Sequence, residues 1–289
     1  MRVLVTGLSG TIGDAVARAL LRRGHLVVGT VRGADRPAPA GVTTLVADLF
    51  QPGALAGAAD EVDAVVHAAS SNDERAAELD RAVVSTFLEA LAGTGKPFVY
   101  TSGLWLHGSG GTPIAEESPF APPPVVSWRP EIERLVAGAR DVHTVRIRPG
   151  LVYGGGRGYV PMVLGPQDDG SGGRVVRPFG DGDNHWSVVP ADDLGDLYAL
   201  AVESAPAGSV YLGTLDESVR VRDAAKGVAD AHGAVVRDWD PEEARQHWGG
   251  MVDAFLLDQV ATGARARADL GWRPSRPSLL DELSAPDRG

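Results

Sequence analysis

Three glycines, Gly7, Gly10 and Gly13, carry the first chemistry legible in this 289-residue chain. They are spaced G-x-x-G-x-x-G between the apolar run Val3-Leu4-Val5 and a helical pattern over residues 11–23. Each glycine has a separate use in that context. Gly7 permits a sharp turn out of a strand, Gly10 lets a pyrophosphate approach the backbone, and Gly13 lets the helix pack on the strand. The helix would aim its free amides and positive end at that pyrophosphate, with Ser9, Thr11 and Ile12 beside the glycines. Arg32 follows a second apolar strand over 26–31, where such a fold reads the adenosine ribose. No acid stands at Gly29, Thr30 or Val31. Arg32 therefore favours the 2′-phosphate of NADP(H) over the 2′-hydroxyl of NAD(H). The plain alternative is a solvated loop arginine.

Side chains that can move or orient a proton are few. Ser102 can place a substrate oxygen or merely cap a strand end. His107, just after Trp105, has the intrinsic pKa of a general acid near neutrality; it also reads as an ordinary loop histidine. Tyr153 can face a substrate cavity or pack with its hydroxyl at water. His185, in Asn184-His185-Trp186, reads as a substrate ligand or as exposed. His67 lies inside an apolar strand and is expected to be a hydrogen-bonded core histidine. Asp192 and Asp193 read as helix caps.

Other chemistries are excluded. There is no cysteine, so no disulfide, thiolate metal site or cysteine nucleophile. The seven histidines show neither H-x-x-x-H nor H-x-x-E-H spacing, so no metal site is expected. No G-x-S-x-G elbow occurs. The net charge of -11 argues against a nucleic-acid or anionic-membrane partner. No apolar run can span a bilayer and no leader precedes the first strand, so a cytoplasmic protein with a small-molecule substrate is expected. It would be a monomer or a homodimer.

These residues need elements to hold them. Strands are expected over 3–5, 26–31, 43–46, 63–69, 97–101 and 143–147, alternating with helices over 11–23, 73–92 and 127–138. That order predicts an α/β Rossmann fold: a doubly wound parallel sheet whose strand ends converge on one cleft. Ala68 and Ala69, small residues at one such end, leave room for a cofactor. Beyond residue 152 glycine loops, short strands and helices over 192–202, 221–231, 258–270 and 278–283 suggest a small C-terminal substrate-binding lobe. Residues 1–152 would form the dinucleotide-binding core and 153–289 mainly the lobe, with about 187–214 returning to the core.

The motifs together resemble the short-chain dehydrogenase/reductase superfamily, in its extended and atypical branches, and its NAD-dependent epimerase/dehydratase group. They are Thr6 to Gly13, Asp48-Leu49, His67-Ala68-Ala69, Tyr100-Thr101-Ser102, Arg148-Pro149-Gly150-Leu151-Val152-Tyr153-Gly154, Ser187 to Leu194 and Leu270-Gly271-Trp272-Arg273-Pro274. The resemblance implies cofactor contacts from the glycine turn, Asp48, Leu49, Pro149 and Gly150. It also implies a Ser/Thr, Tyr and Lys reaction centre, yet no Tyr-x-x-x-Lys exists here, and the only lysines are Lys96 and Lys226. Glu133 fits the acid that follows the family lysine by four residues. Counting back places Arg129 at the lysine position and Val125 at the tyrosine position; Gly103 falls where the serine stands. The expectation is an NADP(H)-dependent atypical reductase of a small carbonyl, enone or imine, with Ser102, His107, Arg129 and Tyr153 as its catalytic candidates. A non-redox epimerase, dehydratase or cyclase, or a non-catalytic NADP-binding regulator, is the alternative.

Overall fold

A computed structural model describes residues 1–284 except Ala34, Pro37 and Gly111. The core runs β1 (Arg2–Thr6), α1 (Thr11–Arg22), β2 (Leu26–Val31), β3 (Val42–Val46), α2 (Gly53–Asp60), β4 (Ala64–His67), α3 (Ala76–Leu91), β5 (Pro97–Thr101), α4 (Arg129–Gly138) and β6 (His143–Pro149). Then follow β7 (Leu151–Tyr153), α5 (Tyr159–Leu164), β8 (Gln167–Asp168), β9 (Arg174–Val176), β10 (His185–Pro190), α6 (Ala191–Ser204), β11 (Val210–Gly213) and β12 (Ser218–Arg220). The last described elements are α7 (Val221–His232), β13 (Val235–Val236), α8 (Pro241–Trp248), α9 (Met251–Phe255), α10 (Ala264–Leu270) and α11 (Leu279–Ser284).

The central sheet has seven parallel strands in the order β11-β6-β5-β4-β1-β2-β3. Val3 pairs with Val27 on one side and with Ala64 on the other, so β1 sits where the chain direction reverses. A crevice opens at the carboxyl ends of β1 and β4 at such a point. Both faces of the sheet are buried, which explains the unbroken apolar runs. Val3 and Val5 join the core under α1 and α6, while Leu4 joins the core under α3 and α4. Gly7, at φ +76°, shows why glycine is required in the first turn: a Cβ there would sit 2.7 Å from the Ala68 carbonyl oxygen.

The lobe has two small sheets, β12-β10-β7 and β13-β9-β8, around a second core that includes Phe179, Trp186 and Phe255. Several expectations change here. Helix α2 is additional; only Leu55 and Ala59 of its eight residues are buried, too faint a stripe to read. Of residues 258–270 only α10 is helical. The preceding stretch runs extended, with Gln259 N donating to His185 O and Ile114 N donating to Val260 O. Strand β10 pairs in the lobe sheet, while its Val189 joins the core under the main sheet ahead of α6. There is also a second return. Leu270 and Trp272 lie in the core beneath the main sheet. Asp192 and Asp193 do sit in the first turn of α6, but they do not cap it. Asp192 pairs with Arg18, and buried Asp193 accepts the amides of Ser275 and Arg276, each at 3.0 Å.

Candidate functional site

Helix α1 starts at Thr11 with no side-chain cap at Gly10. Gly10 N donates to Gly7 O at 2.9 Å, and the next intrahelical bond begins at Asp14. The amides of Thr11, Ile12 and Gly13 thus have no partner among the described residues, and they point out of the end of a 12-residue helix. Orphan amides there make an anion site. A Cβ on Gly13 would fall 2.2 Å from Gly7 O, whereas one on Gly10 would touch only that same oxygen at 3.2 Å. Gly13 is therefore fixed by packing, and Gly10 leaves the outer side of the turn open. Ser9 is exposed, and its carbonyl accepts Arg157 Nη2 at 2.7 Å.

The neighbouring strand ends complete a groove. Arg32 is exposed directly after β2 and makes no hydrogen bond or ion pair among the described residues. Asp48, beyond β3, accepts Phe50 N at 3.0 Å through Oδ1, and Leu49 packs on the core beside it. Ala68 and Ala69 back directly onto Gly7. Pro149 ends β6. Gly150 is demanded by close packing, since a Cβ there would lie 2.2 Å from Ser187 O.

Arg129 is the first residue of α4, and its side chain is 15% exposed. Its Nη1 donates to Thr101 O at 3.3 Å and to the Tyr100 hydroxyl at 3.4 Å. Thus it stands at the carboxyl end of β5. Behind it lies a chain of buried polar groups. Tyr100 donates its hydroxyl to Asp80 Oδ2 at 2.5 Å, His67 Nε2 meets Asp80 Oδ1 at 3.0 Å, and His67 Nδ1 meets Thr6 Oγ1 at 2.6 Å. Burial pushes the Asp80 carboxyl up, but His67, Arg129 and Tyr100 together outweigh it and hold the group below the usual range. Burial, followed by the Asp80 charge, raises the Tyr100 phenol well above 10.0, so it keeps its proton and donates it. His67 is the bonded core histidine its setting predicts. The link through Asp80 to Arg129 is not visible in the sequence; an acid on the apolar face of α3 was its one signal.

The other three catalytic candidates are buried. Ser102 is buried; its amide donates to Ile147 O, and its Oγ is closed to solvent with no hydrogen bond. His107 is 5% exposed, in a 3₁₀ turn (Leu104–His107). Arg148 Nη1 approaches its Nε2 at 3.3 Å, which makes Nε2 the acceptor; Nδ1 then carries the proton and faces Pro119 O at 3.2 Å. Burial, then the Arg148 charge, lowers its pKa, so it stays neutral. Intrinsic pKa suggests a general acid here, whereas burial beside a guanidinium favours the neutral ring. Arg148 itself forms a fork to Glu133, at 2.8 Å and 3.1 Å, with both side chains at most 2% exposed.

Tyr153 is also buried. Its hydroxyl donates to Pro277 O at 2.9 Å, and burial raises its pKa. It lines a cavity of about 340 Å³ with Arg18, Asp192 and Arg276, which reaches Thr11 at the start of α1. Within it Asp192 is paired with both Arg18 and Arg276. His185 is half-buried, and its Nδ1 meets Asp258 Oδ1 at 3.0 Å. Among the described residues no group of three His, Asp or Glu side chains could hold a metal ion, and no helix is long and apolar enough to cross a membrane.

Trp105, already noted beside His107, packs with an aromatic residue missed in the sequence, Tyr159. Trp105 follows β5 by four residues, and Tyr159 opens α5. Their ring centres are 6.0 Å apart. Burial raises the Tyr159 pKa, and the Arg129 charge pulls it back. Glycines on both sides of Arg157 hid Tyr159 as part of a loop.

Residues 3–212 match the sequence profile of the NAD dependent epimerase/dehydratase family, and the chain belongs to that family. A protein of Schizosaccharomyces pombe is 30% identical over 99% of each chain. The 3-diazoavenalumate denitrifying reductase of a Streptomyces species is 30% identical, over 98% of this chain and 99% of that one. Among solved structures, dTDP-glucose 4,6-dehydratase of Bacillus anthracis in complex with NAD superposes with a TM-score of 0.80 at 16% identity, covering 98% of this chain and 95% of that one.

Proposed function

We propose that the protein is an NADP(H)-dependent reductase of a small organic carbonyl, enone or imine, working without the Ser-Tyr-Lys centre. The observation that carries it is one groove with an anion cradle at its start and a fixed cation at its end. The residues fit a dinucleotide: the amides of Thr11, Ile12 and Gly13 are unpartnered, and Gly10 leaves the turn open where a Cβ would otherwise project. Those amides bind the pyrophosphate. Arg32 takes the 2′-phosphate, Asp48 keeps Oδ2 for the adenine amino group, and Ala68, Ala69, Pro149 and Gly150 border the groove. Arg129 takes the ribose hydroxyls in place of lysine. The bound nicotinamide supplies the hydride to the substrate carbon.

Arg129 polarises what lies beside it but cannot give up a proton near neutrality. His107, Tyr153 and Ser102 are buried, with His107 and Tyr153 hydrogen-bonded inside the protein, so in this reading the proton enters from the open side of the groove. The Streptomyces relative's name, a reductase, supports a redox reading. The family's epimerase/dehydratase description supports the non-redox alternative, in which the cofactor returns to its starting state.

Titrating the purified chain with NADPH and NADH, read by nicotinamide fluorescence, tests the cofactor. NADPH should bind about 10- to 100-fold more tightly, the worth of one charge-assisted phosphate contact. A preference for NADH refutes the Arg32 assignment. Substrate conversion without net NADPH consumption refutes the reductase.

A further inference from the structure

We propose that Trp105 and Tyr159 form an aromatic recognition wall, and that the substrate is a flat conjugated ring bearing an oxygen that can accept a hydrogen bond. This names the substrate class of the reductase site above and rests on that reading for its location. Trp105 is the exception in its turn: Leu104, Leu106 and His107 are buried, while Trp105 is half-buried. Tyr159 comes from the other lobe and is likewise half-buried, ahead of the fully buried Val160.

Neither ring is loose. Phe255, 1% exposed, meets Trp105 at 5.5 Å and 87°, and Tyr159 at 5.6 Å and 72°. Those edge contacts fix both rings from behind. Two large aromatic surfaces are thus held from behind, each half-buried, and Trp105 follows the end of β5, where Arg129 closes the groove. The Tyr159 hydroxyl has no hydrogen-bond partner among the described residues. Burial favours its neutral form, so it remains a donor. A ring laid on this wall would offer its oxygen to Tyr159 and to the positive field of Arg129. A saturated ring of the same size would bury similar area but lose the quadrupole contacts.

Isothermal titration of the full chain, with and without NADPH, tests this with three probes: benzoate, cyclohexanecarboxylate and methyl glucoside. Benzoate should bind about tenfold more tightly than its saturated counterpart, and the glucoside more weakly still. Trp105→Leu and Tyr159→Leu should each remove that preference. Tyr159→Phe should keep it while weakening benzoate several-fold. All three variants should keep NADPH affinity and the wild-type circular dichroism spectrum. Equal affinity for the two acids, tighter binding of the glucoside, no benzoate binding, or unchanged leucine variants would each overturn the proposal. Failure of the wild type to bind NADPH would refute the reductase instead, and leaves the benzoate comparison interpretable.

Discussion

Replacing Asp80 by Asn should loosen Arg129 without touching it. Asp80 Oδ2 lies 3.8 Å from Arg129 Nη1, and both side chains are largely buried. At an effective dielectric of about 20, unit charges at that distance attract by about 4 kcal/mol. Asn keeps the shape and some hydrogen bonds but loses the charge, leaving a buried guanidinium without its counter-ion. The expected destabilisation is about 3–5 kcal/mol, the usual result of breaking a buried pair from one side. Urea unfolding at pH 7 measures it. The pH dependence carries a second check. The Asp80 pKa is depressed in the folded state, so its contribution is fully present above the unfolded carboxyl value of about 3.9. It is lost as pH falls through the folded value. The stability gap between wild type and variant should hence be flat across neutral pH and close only in acid. NADPH affinity should fall with it, and adding Arg129→Ala should cost little more than Arg129→Ala alone. A gap under about 1 kcal/mol, or additive losses in the double variant, would refute the coupling.

Glu133→Gln strands Arg148, its forked partner, and should cost about 3–5 kcal/mol in the same unfolding assay. Glu133, too, is held below the usual carboxylate range against its burial, so that loss should also fade only at acid pH. Arg32→Glu should weaken NADPH by about tenfold or more and leave NADH nearly unchanged, as read by nicotinamide fluorescence. His107→Ala and Tyr153→Phe should each lower stability by about 1–2 kcal/mol and leave the pH profile of turnover as it was, because both hydrogen-bond within the protein.

The sheet was legible because burial on both faces leaves uninterrupted valine-rich strands, and β1, β2 and β5 lie where such runs stand. The glycine turn was legible for the same kind of reason: its spacing answers to backbone distances that only a missing Cβ permits. Helix α2 was not, since Gly53 and Gly57 dilute a stripe that buries only Leu55 and Ala59. The candidate site divides along a similar line. Arg129 could be placed by counting from Glu133. The groups that steady it, Tyr100, Asp80, His67 and Thr6, come from four different elements, and local spacing cannot join them. His107 misled because a pKa taken from water says nothing about burial against Arg148. Tyr159 was hidden by its glycine neighbours, although a large ring at the start of a buried helix was its signal.

The path of the chain has a consequence for how the lobes behave. After β6 it enters the lobe, returns with α6 and β11, leaves again, and returns with α10 and Trp272 before α11 in the lobe. Trp272 is 1% exposed and donates its indole N–H to Asp193 O at 2.8 Å, on a helix of the core. No single cut therefore separates one lobe from the other. A fragment ending before Trp272 would carry an open core, and the lobe alone would carry orphaned ends. Neither half can be shuffled onto another scaffold as a cassette, and cooperative loss of both together is the expected mode of failure.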